Sequence, residues 1–511
     1  MTPHARPARL MLALALSALL AAGCARDGGQ AVGGQPEGGE PDGIQPANSE
    51  VTAPAVASRE SGTDGSEGTT GVGSVSDTEG AVGAGGAAGS LGQVAPPGAE
   101  LEPEEIYSRI SPSVAYVETP LATGSAVMVR PGIALTNAHV VWPFDTVRVV
   151  FPDGTELTNA RVIGRDEMAD LALLDVVSAA ASLPEPVSVG DGTALPIGSA
   201  VYLVGYPGES EEYPQPAISR GLLSRLRKWD AIDMPYLQSD ADIAGGQSGG
   251  VLVADDGRVI GFSSMIFGES AFGLSASAPD VLARADRMLA GEDVDGVDSR
   301  PMPTGEGKTE MTATLDGYWD EAVFVLEAPY GVQSDVSAVG VSAATLAALD
   351  PYGELLFEDD SGRDGTARGA VVTRYDGPHF VVVNMDEPGS AAIRSSTPLL
   401  RLIDPDDGDE LSVGSRHLAV MDYPGDFDHY TVRLEPGRRV TVTVDTANFS
   451  PELIIEGPDS AATPAGSEVW IGGPLGLTAS TTFTPDRPGE YKIVVDDVEG
   501  IGTGGYFLTI E

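Results

Sequence analysis

The sequence predicts an all-β fold for nearly all of the chain beyond residue 100. Short runs of β-branched and other apolar residues recur there, and Gly, Pro and Asp interrupt them. Further along, residues 440–444 and 504–510 alternate apolar with polar or small side chains, as strands with one buried face do. The predicted strands in the first part are residues 113–117, 125–129, 146–151, 160–164, 171–176, 200–204 and 259–265. Many short strands at this spacing indicate a barrel or a sandwich.

Composition limits the kinds of partner. The chain has 76 acidic and 29 basic residues among its 511, a net charge of −47, so we expect no binding to nucleic acid. Hydrophobic residues make up 42% of the chain, which is enough for real cores, and the length indicates roughly two to four domains. A single cysteine excludes an intramolecular disulfide.

The first 23 residues have the pattern of a secretion signal. A basic segment precedes an apolar run from Leu10, and 13 residues up to Ala22 are too few to cross a hydrocarbon core of ~30 Å. Leu20-Ala21-Ala22-Gly23-Cys24 resembles the lipobox of bacterial lipoproteins, although Ala21 stands where Leu is usual. The resemblance implies a lipid on Cys24 that holds the protein at a membrane. The alternative is a plain signal peptide with a cysteine near its cleavage site.

A linker follows the signal. Residues 25–100 contain no Phe, Trp or Tyr and are rich in Gly, Ser, Ala, Pro and acids, so we expect residues 24–100 to be disordered. A flexible chain of this length has a root-mean-square span of roughly 50 Å. It would act as a tether.

Three segments between residues 101 and 295 carry candidate catalytic groups in the order His139, Asp170, Ser248. A serine hydroxyl needs an imidazole as general base, and the imidazole needs a carboxylate that fixes its tautomer and stabilises its cation. Glycines flank Ser248 and suit a tight turn whose N–H groups face a developing oxyanion, with Gly246 and Ser248 as the donors. This chemistry requires no metal or organic cofactor.

The same region resembles the trypsin-like serine proteases, and among them the HtrA/Deg family, over residues 105–292. The matching segments include TGSA (123–126), LTNAHVV (135–141), DLALL (170–174), GSAVYLVGYPGE (198–209) and QSDADIAGGQSGGVLV (238–253). The resemblance implies a double β-barrel over residues 101–295 with its active site between the barrels. It also implies hydrolysis of peptide bonds in protein or peptide substrates through an acyl-enzyme.

Two positions depart from the family pattern. Gln247 stands where the family usually has Asn, which affects the shape of the oxyanion turn. Asp242 stands where HtrA proteins generally have Ala. It could form the floor of a specificity pocket that selects Arg or Lys, or it could face solvent beside a pocket for small aliphatic side chains. The predicted walls of that second pocket are Ile243, Leu274, Ser275 and Ala276.

The C-terminal part contains a duplication rather than a convincing PDZ domain. Trp319-Asp320 and the apolar run after it parallel Phe427-Asp428 and its run, and HFVVVN from His379 parallels EYKIVV from Glu490. The spacings, 379−320 = 59 and 490−428 = 62, agree closely. We expect two β-sandwich domains, residues 296–405 and 406–511, and the second resembles the pre-peptidase C-terminal (PPC) module.

An acidic run, residues 404–410, lies between the two copies. Its carboxylates suit Ca²⁺, but the run lacks the spacing of an EF-hand, so a solvated linker is the default interpretation. Taken together, the sequence predicts a serine endopeptidase anchored in the cell envelope. The alternative is a surface binding protein that uses a catalytically idle protease fold and the β-sandwiches as interaction modules.

Overall fold

The fold is known from a computed structural model that describes residues 94–177, 183–208, 214–242, 245–267, 272–292, 302–316, 319–361, 365–458, 462–463, 468–470 and 477–511. The predicted signal, Cys24 and most of the predicted tether lie outside the described residues. Residues 95–98, the end of that tether, are hydrogen-bonded to the second barrel, with Ala95 N–H 2.8 Å from the carbonyl oxygen of Val189. Backbone pairing fixes this segment without requiring apolar side chains. No helix among the described residues is long and apolar enough to cross a membrane.

Two closed six-stranded barrels confirm the predicted all-β class. The first barrel has the strand order β1-β2-β3-β6-β5-β4. Its strands are β1 (Val114–Glu118), β2 (Thr123–Arg130), β3 (Ile133–Thr136), β4 (Thr146–Val150), β5 (Glu156–Asp166) and β6 (Leu171–Asp175). Alternate residues of these strands fill the barrel with small and branched side chains, which is the period expected of strands with one buried face.

The second barrel has the order β10-β11-β12-β9-β8-β7, and β10 pairs with β7 to close it. Its strands are β7 (Ala200–Gly205), β8 (Ala217–Trp229), β9 (Met234–Ser239), β10 (Val251–Ala254), β11 (Val259–Phe267) and β12 (Phe272–Ser277). A shared apolar cluster joins the outer faces of the two barrels. Within it the rings of Tyr116 and Tyr206 pack edge to face, with their centroids 5.5 Å apart. This packing sets the spacing of the loops between the barrels.

Three short helices accompany the barrels: α1 (Pro103–Ile110), α2 (Ala138–Val141) and α3 (Ala278–Leu289). Short 3₁₀ turns cover Ser111–Ser113 and Gly192–Ala194. Helix α3 has the sequence features expected at the start and at the end of a helix. A proline lies in its first turn, its apolar face is buried against the barrels, and Gly291 follows its end with a φ of +71°.

Eight strands form the first C-terminal module, in the order β17-β16-β19-β14-β20-β15-β18 with β13 also paired to β20. They are β13 (Lys308–Leu315), β14 (Glu321–Ala328), β15 (Gln333–Gly340), β16 (Ala344–Leu349), β17 (Leu355–Asp360), β18 (Thr366–Val372), β19 (Gly377–Met385) and β20 (Gly389–Arg401). The long strand β20 joins both halves of the sheet, which enclose one apolar core.

Two five-stranded sheets form the second module, in the orders β21-β23-β29-β25-β26 and β22-β30-β24-β28-β27. Their strands are β21 (Glu410–Leu411), β22 (Arg416–Met421), β23 (Phe427–Leu434), β24 (Val440–Thr446), β25 (Pro451–Glu456), β26 (Ala462–Thr463), β27 (Glu468–Trp470), β28 (Leu477–Phe483), β29 (Gly489–Asp497) and β30 (Gly504–Ile510). Apolar residues of both sheets form its core.

The strands that the sequence aligned as a repeat have the same partners in both modules. In the first module β14 pairs antiparallel with β19, and in the second β23 pairs antiparallel with β29. The aligned aromatic residues Trp319 and Phe427 also meet each other, with ring centroids 5.7 Å apart. The repeat therefore corresponds to an equivalent strand pair, although one module is a single folded sheet and the other has two sheets.

Candidate active site

His139 and Asp170 are held together by two hydrogen bonds. Nδ1 of His139 lies 2.8 Å from Oδ2 of Asp170, and the backbone N–H of His139 donates to Oδ1 at 3.0 Å. His139 is in α2, directly after β3, and Asp170 is the residue before β6. Because β3 and β6 are neighbours in the first barrel, the fold brings these two segments side by side.

The backbone of Asp170 is fixed in an uncommon conformation. Its φ is +54°, in the left-handed region that Asp tolerates better than most residues. The side chain of Asn137 donates to the carbonyl oxygen of Asp170 at 2.7 Å and stabilises this turn. Asn137 is part of the LTNAHVV segment, and its role becomes evident only in the folded chain. Because Asn137 is two residues before His139, its hydrogen bond connects the segment of His139 to the segment of Asp170.

The electrostatic environment favours a protonated imidazole. Desolvation by the surrounding protein opposes the charged form, but the charge and the hydrogen bond of Asp170 outweigh it, and the pKa of His139 is raised above its ordinary value. The imidazole side chain is 52% exposed and the carboxylate only 13%. An accessible base with a shielded carboxylate behind it can accept a proton from a group that approaches from solvent.

Ser248 lies in the turn between β9 and β10, and backbone contacts join this turn to the first barrel. Its carbonyl oxygen accepts the N–H of Ser125 at 2.8 Å. Gly124 lies between the histidine helix and the serine turn. A Cβ built on Gly124 would lie 2.6 Å from the side chain of Val140 and 3.3 Å from the carbonyl oxygen of Ser248. Val140 follows His139 directly. The structure therefore brings the serine turn beside the helix that carries the histidine.

Glycines on both sides of Ser248 allow this close approach. Gly249 has a φ of +78°, and a Cβ there would lie 2.0 Å from the carbonyl oxygen of Ser125. Gly246 has a φ of +86°, and a Cβ there would lie 2.5 Å from the nitrogen of Gly208. In the same turn the N–H of Gly250 donates to the carbonyl oxygen of Gln247 at 2.9 Å. Gln247 itself is buried, with 4% of its surface exposed.

Ser125 connects the oxyanion turn to the barrels, a role that the sequence analysis missed. Its hydroxyl donates to the carbonyl oxygen of Gly246 at 3.0 Å and accepts the N–H of Tyr206 at 2.9 Å. Ser125 is fully buried. It belongs to the TGSA segment noted in the sequence, but only the tertiary structure shows that this hydroxyl reaches a loop 121 residues away.

A buried ion pair supports the loop that carries Asp170. Nη1 of Arg284, in α3, lies 2.6 Å from Oδ2 of Asp166, and Oδ1 of Asp166 accepts the N–H of Ala169 at 2.9 Å. Nη2 of Arg284 donates to the carbonyl oxygen of Ile232 at 3.2 Å. Only the tertiary structure shows this pairing, because Arg284 and Asp166 are 118 residues apart in the sequence. The helix thereby anchors the loop from behind.

The predicted specificity residues lie in different surroundings. Asp242 is exposed, and its carbonyl oxygen accepts the hydroxyl of Ser219 at 2.7 Å. Ile243 lies outside the described residues. The other predicted wall residues, all in β12, are buried: Leu274, Ser275 and Ala276. Strand β12 pairs with β9, the strand that leads into the Asp242 and Ser248 segment.

Two closed six-stranded barrels, a paired histidine and aspartate, and a glycine-flanked serine turn define the architecture of a trypsin-like peptidase domain. In agreement, residues 124–262 match the family model described as the trypsin-like peptidase domain. A probable periplasmic serine endoprotease DegP-like of Halomonas elongata is 34% identical over 188 residues, 36% of this chain and 35% of that protein. Serine protease HTRA1 of Xenopus laevis is 32% identical over 179 residues, 32% of this chain and 38% of that protein.

The chain therefore spans little more than a third of the length of these relatives. Among solved structures it is similar to the HtrA-type protease AlgWS227A with tripeptide. That similarity has 28% identity and a TM-score of 0.34, and it covers 38% of this chain and 65% of the other.

Proposed function

We propose that the protein is a serine endopeptidase of the HtrA type that cleaves proteins outside the cytoplasm. Ser248 is the nucleophile, His139 the general base and acid, and Asp170 the carboxylate that orients the imidazole. The N–H groups of Gly246 and Ser248 bind the oxyanion. The observation that carries this proposal is the double hydrogen bond between His139 and Asp170 beside a serine turn that only glycines can form.

The chemistry follows from this arrangement. The hydroxyl oxygen of Ser248 attacks the peptide carbonyl while its proton moves to Nε2 of His139. The resulting imidazolium is stabilised by the Asp170 carboxylate at Nδ1 and then protonates the leaving amine. Water attacks the acyl-enzyme by the same route and regenerates Ser248. The tetrahedral intermediates carry a negative oxygen, which the two N–H groups of the turn stabilise.

Active-site labelling tests the assignment. A fluorophosphonate probe should label the wild-type protein, and Ser248→Ala should abolish both labelling and hydrolysis of an unfolded protein substrate without lowering the melting temperature. Ser108→Ala, which removes an exposed hydroxyl in α1, is the matched control and should behave as wild type. A folded wild-type protein that resists labelling and cleaves nothing would favour the binding protein with an idle protease fold.

For the residue before the scissile bond, we propose a preference for small aliphatic side chains such as Val and Ala. The exposure of Asp242 supports this choice, because a solvated carboxylate attracts a substrate cation less strongly than a buried one. Three peptides that differ only at that position should be compared, and kcat/KM should be higher for Val and Ala than for Arg. Dominant cleavage after Arg that Asp242→Ala abolishes would contradict this specificity.

We further propose that the protein is lipid-anchored through Cys24 in the cell envelope. The lipobox-like pattern supports the anchor, and the periplasmic location in the names of several relatives supports the compartment. In a bacterial host, a clickable fatty acid should label the wild-type chain, which should sediment with membranes. Cys24→Ala should remove the label and release the chain into the soluble fraction; a membrane-bound, unlabelled wild type would contradict the lipid anchor.

A further inference from the structure

Three aspartates meet where the two C-terminal modules join. Asp404 follows β20 of the first module, and Asp426 and Asp428 lie at the start of β23 in the second. One carboxylate oxygen from each lies within 4.8 Å of the other two. Asp428 is fully buried and Asp426 is 4% exposed. The chain thus gathers oxygen ligands from two modules at one point.

One carboxylate oxygen of Asp428 has no hydrogen-bond donor in the part of the chain that the structure describes. Oδ2 of Asp428 accepts hydrogen bonds from the hydroxyls of Tyr430, at 3.3 Å, and of Tyr506. Its Oδ1 is equally buried and has no hydrogen-bond partner among the described residues. A buried carboxylate oxygen without a donor is costly, and two further carboxylates have an oxygen within 4.8 Å of an oxygen of this side chain, so the arrangement points to a missing cation. The two tyrosine hydroxyls hold the side chain in place through Oδ2.

The charges around the cluster are mostly negative. The charges of neighbouring acids, Asp404 and Asp422 among them, act on the carboxyl group of Asp428. The surface cleft beside it is lined by further acids and by Arg401, whose attraction is to Asp320 and Glu321. Asp404 and Asp426 also line this cleft, so its lining carries more negative than positive charge.

We infer that Asp404, Asp426 and Asp428 bind a calcium ion that ties the two modules together. The ligands are all hard oxygens, as Ca²⁺ prefers. The ligands come from the segment after β20 in one module and from the start of β23 in the other. Such a set suits the flexible coordination of Ca²⁺ better than the strict octahedron of Mg²⁺. Water or backbone carbonyls would complete the shell. Tyr430 and Tyr506 orient one ligand from behind, as outer-shell partners of metal sites do.

This site differs from the one suggested by the acidic run 404–410. Of that run, only Asp404 belongs to the cluster. Oδ2 of Asp406 accepts the N–H of Val420 at 3.1 Å, and Oδ1 of Asp407 accepts the N–H of His429 at 3.0 Å. These side chains stabilise the turn into the second module. The remaining ligands come from residues about 20 positions further along, which the spacing within the run could not reveal.

Calorimetry and luminescence test the site on the full-length protein. After treatment with a chelator, Ca²⁺ alone should bind with a 1:1 stoichiometry at about 0.15 M salt, where surface attraction is largely screened. It should raise the melting temperature more than the same concentration of Mg²⁺. Tb³⁺ should give luminescence when tyrosine is excited, since Tyr430 and Tyr506 lie beside the ligands. No heat and no rise in melting temperature with millimolar Ca²⁺ would overturn the proposal.

Two matched variants separate a specific site from a diffuse acidic surface. Asp404→Asn should weaken Ca²⁺ binding by roughly tenfold or more. Asp409→Asn makes the same change at an exposed position of the same run and should leave affinity within about twofold. In chelator Asp404→Asn should melt no lower than wild type, because it removes repulsion, whereas in Ca²⁺ it should melt lower. Equal stabilisation of both variants and wild type by Ca²⁺ would overturn the site. A wild-type melting temperature that Ca²⁺ does not change would also overturn it, and would indicate that the carboxyl groups share a proton instead.

Discussion

The side-chain amide of Asn448, in the second C-terminal module, donates a hydrogen bond of 2.9 Å to the backbone carbonyl of Glu167. Glu167 lies three residues before Asp170, in the loop that holds the candidate catalytic carboxylate. Next to this contact, Gly505 packs against Met168 so closely that a Cβ at Gly505 would lie 2.6 Å from the Met168 sulfur. The module is thus a direct support of the active-site loop, although it contributes no candidate catalytic group.

Asn448→Ala should reduce kcat/KM by about tenfold, because displacement of a catalytic group by about an ångström costs up to ~100-fold in rate. The fluorophosphonate labelling rate should fall in parallel, which a general loss of substrate binding would not produce. Thr441→Ala removes an exposed hydrogen bond to Thr482 in the same module and should leave both rates unchanged. Equal activity of Asn448→Ala and wild type would show that the loop needs no support from the module.

Activity should rise with pH as His139 loses its proton. Because Asp170 raises the pKa of His139, the inflection of kcat/KM should lie above the ordinary histidine value of about 6.5. Asp170→Asn removes the negative charge, so the pKa should fall and the inflection should move to lower pH. The plateau should fall by about 10⁴-fold, since the imidazole loses its orienting carboxylate. An inflection that stays in place in Asp170→Asn would contradict the pairing.

Arg284→Met should destabilise the protease domain by about 3–5 kcal/mol, because it leaves the buried carboxylate of Asp166 without its cation. Urea unfolding followed by fluorescence would measure the change, and kcat should fall with it. Arg287→Met, in the same helix, removes an exposed ion pair with Glu292 and should cost no more than about 1 kcal/mol. Similar costs for the two variants would mean that the ion pair does not anchor the loop.

Ser125→Ala should lower kcat with little change in KM. The variant leaves the carbonyl of Gly246 and the N–H of Tyr206 without their shared hydroxyl, at a cost of about 1–3 kcal/mol. If Gly246 is held less firmly, its N–H group is less well placed to donate to the oxyanion. That hydrogen bond matters more in the transition state than in the substrate complex, so kcat should fall more than KM changes. Steady-state kinetics on a peptide substrate would measure both constants. Ser224→Ala, which removes a hydroxyl of β8 that donates to the carbonyl oxygen of Leu222, is the control. A rise in KM at constant kcat would assign Ser125 to substrate binding instead.

The spacing of the short apolar runs predicted a barrel or a sandwich, because each strand has one buried face and the alternation of side chains records that burial locally. The double barrel was implied only by the resemblance to the protease family. The sequence also provided candidate catalytic residues, because a serine nucleophile requires a base and that base requires a carboxylate. The supports of the site were harder to foresee. Ser125 and Arg284 have ordinary surroundings in the sequence, and their partners lie 121 and 118 residues away.

The amino-acid sequence by itself determined the β class, the repeat and the candidate triad, since these depend on local periodicity and on required functional groups. The tertiary structure decided which acids come together at the module junction, and that the second module supports the loop of Asp170. Both depend on how the sheets of different modules pack against one another. Docking is set by the three-dimensional shape of whole surfaces, and no run of neighbouring residues encodes that shape.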